Sequence, residues 1–374
     1  MEEATRRDGR ADPRLEEAAS HTPAQPLNAR LAEIARVFRA KPFRPHALLR
    51  GGHAQTVAAS LRLTRLKLLR EERGLYEPRL VEVERDARLL LKCRWQPRRL
   101  EAPTLLLMHG LEGSSESLYV VGTSRKAFRA GFNVVRMNMR NCGGTEHLTP
   151  TLYHSGMTGD IHRVIVEELA GREGLARVYV AGFSMSGNMV LKLAGDYGAD
   201  FPPSLAGVVS VSPSVDRDGC AEAVGRRANV VYRLSFMRSL RRRVRAKARL
   251  YPKLYDARGL WRVRNIRQFD ERYTAPHGGY KGASDYYERA SSLRVIPNIK
   301  VPTLIIHSID DPIIPPEPFL EPSTAANPNV LLVVTRGGGH VGFIAESAEG
   351  EDRRWAENRA VEFCRMLDDG VQLL

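Results

Sequence analysis

The chain's patterning predicts an α/β domain, with a mostly parallel central sheet flanked by helices and one helical insertion. Three observations carry this reading. From residue 104 to 212, short unbroken apolar runs alternate with helical periodicity, the mark of a sheet covered on both faces. The alternation stops over residues 214–290 and resumes at Val301. The 374 residues are 43% hydrophobic, enough for one large core.

The elements follow in order. Residues 1–26 are polar, Pro-containing and of mixed charge. They read as a disordered tail and lack the apolar stretch of a signal peptide. The core is expected from 27–213 and 291–374. Leu31, Ile34, Ala35 and Phe38 repeat at helical spacing, and Pro42 and Pro45 end that helix. Gly51-Gly52-His53-Ala54-Gln55-Thr56 then predicts a tight turn opening a short helix, with His53 read first as buried and hydrogen-bonded and second as a functional side chain. Residues 80–85 and 88–95 surround Asp86-Ala87 as a β-hairpin. Residues 104–108 form a strand buried on both faces, ending in His109-Gly110-Leu111-Glu112-Gly113. A helix over 118–130, a strand over 133–138 and a helix over 158–169 follow. Residues 178–181 are a β run, Gly182-Phe183-Ser184-Met185-Ser186-Gly187 a sharp turn, and Met189, Val190, Leu193 and Ala194 a helical stripe. Strands are expected at 207–212, 301–308 and 329–335, and a closing helix at 355–367.

Strand, tight turn with a serine, then helix is the layout of a nucleophile elbow. In an open parallel sheet, sites form at the carboxyl ends of the strands. The His109-Gly110 turn, Ser184, the Asp310-Asp311 pair and His340 all fall there. A serine is a weak nucleophile until a base takes its proton, and a histidine can do that and return the proton to the leaving group. An aspartate fixes the histidine tautomer. Two backbone N–H groups, those of Leu111 and Met185, would face the oxyanion. Gly is usual two residues after the serine, but Ser186 stands there and Gly187 follows. A small residue is needed at that point, so the turn should survive with a slight shift. Ser186 is the rival nucleophile and lacks a Gly two residues before it.

These motifs together resemble the YheT-like group of α/β hydrolases, related to eukaryotic abhydrolase-domain esterases and yeast medium-chain ester synthase/esterases. Further pieces of the likeness are Met139-Arg140-Asn141-Cys142-Gly143-Gly144 and Gly338-Gly339-His340. The resemblance implies an α/β-hydrolase fold and a serine carboxylic ester hydrolase with the triad Ser184, Asp311 and His340, working without metal or organic cofactor. Asp311-Pro312-Ile313-Ile314-Pro315 matches a frequent hydrolase pattern, which favours Asp311 over Asp310 as the partner of His340; Asp310 would then bond its own loop. The implied substrates are acyl esters, of short or medium chains or of lipids. Transfer of the acyl group to an alcohol on the same triad is the alternative.

Charge is uneven. The chain carries a net +14, and residues 214–290 hold 19 Lys and Arg against 8 Asp and Glu. This insertion reads as a basic helical cap over the site, with Tyr232, Leu234, Phe236, Met237, Leu240, Leu250, Tyr251, Leu254, Tyr255 and Trp261 on its inner face. Its charge is read first as a solvated face, then as peripheral contact with anionic lipid. No RRM, helix-turn-helix or zinc-finger pattern accompanies it, which argues against nucleic acid. A binding protein on an inactive scaffold is the contrasting class, and the complete Ser, Asp, His set argues against it. Four scattered cysteines without metal spacing point to a reducing, cytoplasmic setting.

Overall fold

A computed structural model describes residues 27–60, 69–72 and 74–371. The expected polar tail, 1–26, lies outside the described residues. Eight strands form one sheet: β1 Glu77–Glu84, β2 Ala87–Arg94, β3 Thr104–Met108, β4 Asn133–Met137, β5 Val178–Phe183, β6 Leu205–Val211, β7 Thr303–Ser308 and β8 Val330–Thr335. Their order is β1-β2-β4-β3-β5-β6-β7-β8. The hairpin β1–β2 and the β2–β4 pair are antiparallel, and every pair from β4 to β8 is parallel.

Period-2 geometry explains the unbroken apolar runs. Along β3, Leu106 and Met108 join one core while Leu105 and Leu107 join the other, so every residue is buried. One face is covered by α1 (Ala29–Arg39), α3 (Leu118–Arg129) and the closing helix α9 (Trp355–Val371). The short helix α2 (Gly52–Ala59) sits between α1 and β1 in the chain. The opposite face is covered by α4 (Thr158–Arg163) and by the elbow helix α5 (Met185–Tyr197). The helix expected over 158–169 is α-helical only to Arg163 and widens to π spacing over Val164–Arg172.

Residues 214–290 contain α6 (Arg217–Gly225), the 21-residue α7 (Val230–Leu250) and α8 (Ala283–Ala290), with shorter helical turns and no strand. Met237, Leu240, Val244, Tyr255 and Phe269 merge into the same core as the sheet face beneath them. The expected inner face needs correcting. Leu234, Leu250, Leu254 and Trp261 are exposed, whereas Met237, Leu240 and Tyr255 are buried. No helix among the described residues is long and apolar enough to cross a membrane.

Candidate active site

The elbow turns in a single residue. Ser184 has φ +57° and ψ −115°, a conformation that costs a side-chain-bearing residue about 1–3 kcal/mol. Its neighbours enforce it. The Ser184 N–H donates to the Val211 carbonyl at 2.9 Å. A Cβ on Gly182 would sit 2.3 Å from the Ser186 carbonyl oxygen, so only glycine lets helix α5 start this close to β5. Ser186 is fully buried. Its hydroxyl accepts the Phe183 N–H at 2.8 Å and reaches the Met108 carbonyl at 2.9 Å, tying the elbow to β3. The serine in place of the usual glycine therefore staples the turn, and among the described residues no hydrogen bond joins it to His340.

Ser184 Oγ lies 2.9 Å from His340 Nε2, and His340 Nδ1 lies 2.8 Å from Asp311 Oδ2. The Asp311 side chain is shut off from solvent. Its other oxygen accepts the N–H groups of Ile313 and Ile314 at 2.8 and 3.0 Å. Burial opposes its charge, but His340 and these amide donors outweigh burial and hold the carboxyl below its ordinary range. Asp310 plays another part. Its Oδ1 accepts the Gly339 N–H at 2.8 Å, bracing the loop that carries His340.

That loop is also clamped from the other end of the chain. Thr56 Oγ1 accepts the His340 N–H at 2.8 Å while donating to the Gly52 carbonyl at 2.7 Å. Gln55 donates to the Ile344 carbonyl at 3.0 Å and accepts the Ile344 N–H at 2.7 Å. A Cβ on Gly52 would sit 1.8 Å from the Asp310 carbonyl oxygen. The Gly-Gly-His-Ala-Gln-Thr motif therefore positions the histidine loop. His53 itself is exposed, correcting the buried reading; its Nδ1 lies 3.0 Å from the Tyr232 hydroxyl and the two rings stack.

The loop after β3 is held in place. Gly110 N–H donates to the Tyr119 hydroxyl at 2.9 Å and Glu112 N–H to the Tyr153 hydroxyl at 2.8 Å. Between them, the Leu111 N–H takes no acceptor among the described residues, and neither does that of Met185 at the start of α5. Glu112 is buried and ion-paired to Arg243 of α7 at 2.7 Å, with further bonds from Tyr153 and Ser239. Burial opposes its charge too, but Arg243 prevails and lowers the carboxyl below its ordinary value. His109 is wholly buried, and burial pushes it down to about 4. It is a neutral brace, accepting the Met139 N–H at 3.1 Å.

Beside these two amides lies a narrow cleft whose free volume is about 30 Å³. Leu111, Met185 and Leu152 line it from the core, and Leu240, Ile266 and Phe269 from the insertion. Arg217, Arg243 and Asp270 add charged groups to this otherwise apolar wall, and the cleft is narrower than the roughly 300–1,000 Å³ of a typical small-molecule site.

An eight-stranded sheet with a serine on the turn after its fifth strand, in contact with a histidine beyond its eighth, defines the α/β-hydrolase class. The chain belongs to the alpha/beta hydrolase fold family, whose profile matches residues 103–347. Within it the likeness is to the YheT-like branch. The chain is 33% identical to the putative esterase YheT of Escherichia coli, over 69% of this chain and 75% of that one. It is 30% identical to the monoacylglycerol lipase of Saccharomyces cerevisiae, over 72% of this chain and 60% of the relative. It is also 30% identical to the phospholipase ABHD3 of Bos taurus, over 65% and 58%. Among solved structures, a 2,6-dihydroxy-pseudo-oxynicotine hydrolase shares the fold, with a TM-score of 0.54 at 15% identity over 86% of this chain and 77% of that one.

Proposed function

We propose that the protein is a serine carboxylic ester hydrolase that cleaves acyl esters through an acyl-Ser184 intermediate. The observation that carries this is the continuous contact from Ser184 Oγ through His340 to Asp311, 2.9 and 2.8 Å. His340 Nε2 takes the hydroxyl proton as Oγ attacks the ester carbonyl carbon. Asp311 accepts from Nδ1–H, keeping the correct tautomer and stabilising the imidazolium. The carbonyl oxygen, now an oxyanion, receives the N–H groups of Leu111 and Met185. His340 then returns the proton to the departing alkoxide. In the second half, water loses a proton to His340 and attacks the acyl carbon; the acyl–Oγ bond then breaks, His340 returns the proton to Ser184 Oγ, and the acid leaves.

The acyl chain is assigned to the cleft beside the two amides, which has to widen to admit it, and residues 214–290 act as its cap. Relatives named esterase, monoacylglycerol lipase and phospholipase favour lipid-like esters. Transfer to an alcohol differs only in the second nucleophile. A relative named medium-chain fatty acid ethyl ester synthase/esterase 2, 26% identical, favours keeping that reading.

The test is a p-nitrophenyl ester chain-length series together with a fluorophosphonate label. Wild type should hydrolyse the esters and take the label, and Ser184→Ala should do neither, with kcat/KM lower by about 10⁴ or more. Labelling that survives Ser184→Ala would remove Ser184 from its role. Added ethanol separates transfer from hydrolysis by the ethyl ester it forms.

A further inference from the structure

Helix α7 has two unlike faces. Met237, Leu240, Val244 and Lys247 are buried against the core. On the opposite side stand Val231, Leu234, Arg238, Arg242, Arg245 and Arg249, all exposed. Their steps of three, four, four, three and four keep them within an arc of roughly 80° at 100° per residue. Among the described residues, none of these four arginines has an acidic partner, whereas Arg243 on the inner side is paired with Glu112. The outer face is therefore a track of four uncompensated cations leading to a short apolar shoulder. Val231 is 69% and Leu234 61% exposed.

The shoulder's position gives the track a direction. Tyr232, between the two apolar residues, stacks on His53 of α2. One turn further along α2, Val57 is 53% exposed, and Thr56 holds the His340 backbone. The apolar end of the face thus lies beside the segment that holds His340.

We propose that this face of α7 docks on an anionic bilayer surface. The arginines lie over anionic headgroups, and Val231, Leu234 and Val57 enter the interfacial layer, so the His340 side of the candidate site faces membrane-resident ester. Charge complementarity selects the anionic surface, and the apolar shoulder selects a bilayer over a nucleic acid, which offers nothing for it to enter. The purpose of docking rests on the ester-hydrolase reading, but binding is measured without turnover, so the two can fail separately.

The test is co-sedimentation of the full chain with vesicles of phosphatidylcholine alone or containing 30 mol% phosphatidylglycerol, at low and high salt. Wild type should bind the anionic vesicles, weakly the neutral ones, and release with salt. Replacing Arg238, Arg242, Arg245 and Arg249 by Gln should weaken anionic-vesicle binding by roughly 500-fold at low salt. Val231→Ser with Leu234→Ser should weaken binding in a salt-insensitive way. Both variants should keep the wild-type melting temperature and the wild-type rate on a soluble p-nitrophenyl ester. Equal binding to neutral and anionic vesicles, no binding, or unchanged binding by the arginine variant overturns the proposal. So does tighter salt-sensitive binding to duplex DNA than to anionic vesicles, lost in the same variant.

Discussion

Replacing Arg243 by methionine tests how the insertion supports the loop after β3. The change keeps the apolar stem of the side chain but removes the guanidinium that pairs with Glu112 at 2.7 Å and also reaches the Asn141 carbonyl. Both partners are more than nine-tenths buried, so solvent does little to screen the loss. Breaking a buried pair by removing one partner costs ~3–5 kcal/mol. Tyr153 and Ser239 still donate to Glu112, which places the expectation at the lower end, about 3 kcal/mol. With a urea slope near 3 kcal/mol per molar, the unfolding midpoint should fall by about 1 M. The double variant with Glu112→Gln removes both charges and should recover much of this, giving a coupling of about 2 kcal/mol. Because Glu112 adjoins Leu111, kcat should also fall, by less than the roughly 10²–10³ expected when an oxyanion donor is lost outright. The pH dependence has a definite sign. In wild type the carboxyl lies below its ordinary value, so its contribution is present above about pH 4.3 and is lost as pH falls through the lower folded value. In Arg243→Met, burial acts without its counterweight, the carboxyl rises above its ordinary value, and stability instead falls as pH rises from about 4.3 toward that raised value. Urea titrations from about pH 2 to 8 measure both effects. Additivity of the two single changes within about 0.5 kcal/mol would refute the reasoning.

Other outcomes follow from the same geometry. Asp311→Asn should lower kcat by about 10⁴ through the wrong histidine tautomer, whereas Asp310→Asn retains an acceptor for the Gly339 N–H and should cost less than tenfold; comparable losses would reassign the pair. Ser186→Ala leaves the Phe183 N–H buried without its acceptor and should cost about 1–3 kcal/mol in urea unfolding while fluorophosphonate labelling persists. Loss of labelling in a variant that stays folded would restore Ser186 as a candidate nucleophile. His109, His154 and His307 are each driven down to about 4 by burial, so the unfolded chain takes up their protons first. Stability should therefore decline as pH falls from about 6.5 toward about 4, and His109→Gln should remove part of that decline. Leu240→Trp, which fills the cleft, should shift the preferred p-nitrophenyl ester toward shorter acyl chains.

The sheet could be read in advance because strands covered on both faces leave an uninterrupted apolar signature. The elbow could be read because Gly182, Ser184 and the stripe of α5 are neighbours in the chain. What sequence reading missed depends on contacts between distant segments. Nothing local marks Thr56 as the acceptor for His340, or Gln55 as the clamp on Ile344. Glu112 belongs to a legible motif, yet its partner lies 131 residues away on α7. A helical wheel of residues 230–250 holds a signal that composition hides. Arg243 and Lys247 fall on the side of Leu240 and Val244, opposite Arg238 and Arg242, so one basic run divides into buried anchors and an exposed track.

The clamp on His340 also sets an order of assembly. Its hydrogen bond to Thr56 spans 284 residues, and β8, which leads into the His340 loop, is the final strand of the sheet. A chain emerging from the ribosome carries Ser184 on its elbow while the base is still unmade. Contacts this far apart in sequence form slowly, because the intervening loop must be closed first. Turnover is therefore a late clock for folding. In a refolding time course, helical ellipticity should recover ahead of esterase activity, and the interval between them measures the time needed for the first helices and the final loop to meet.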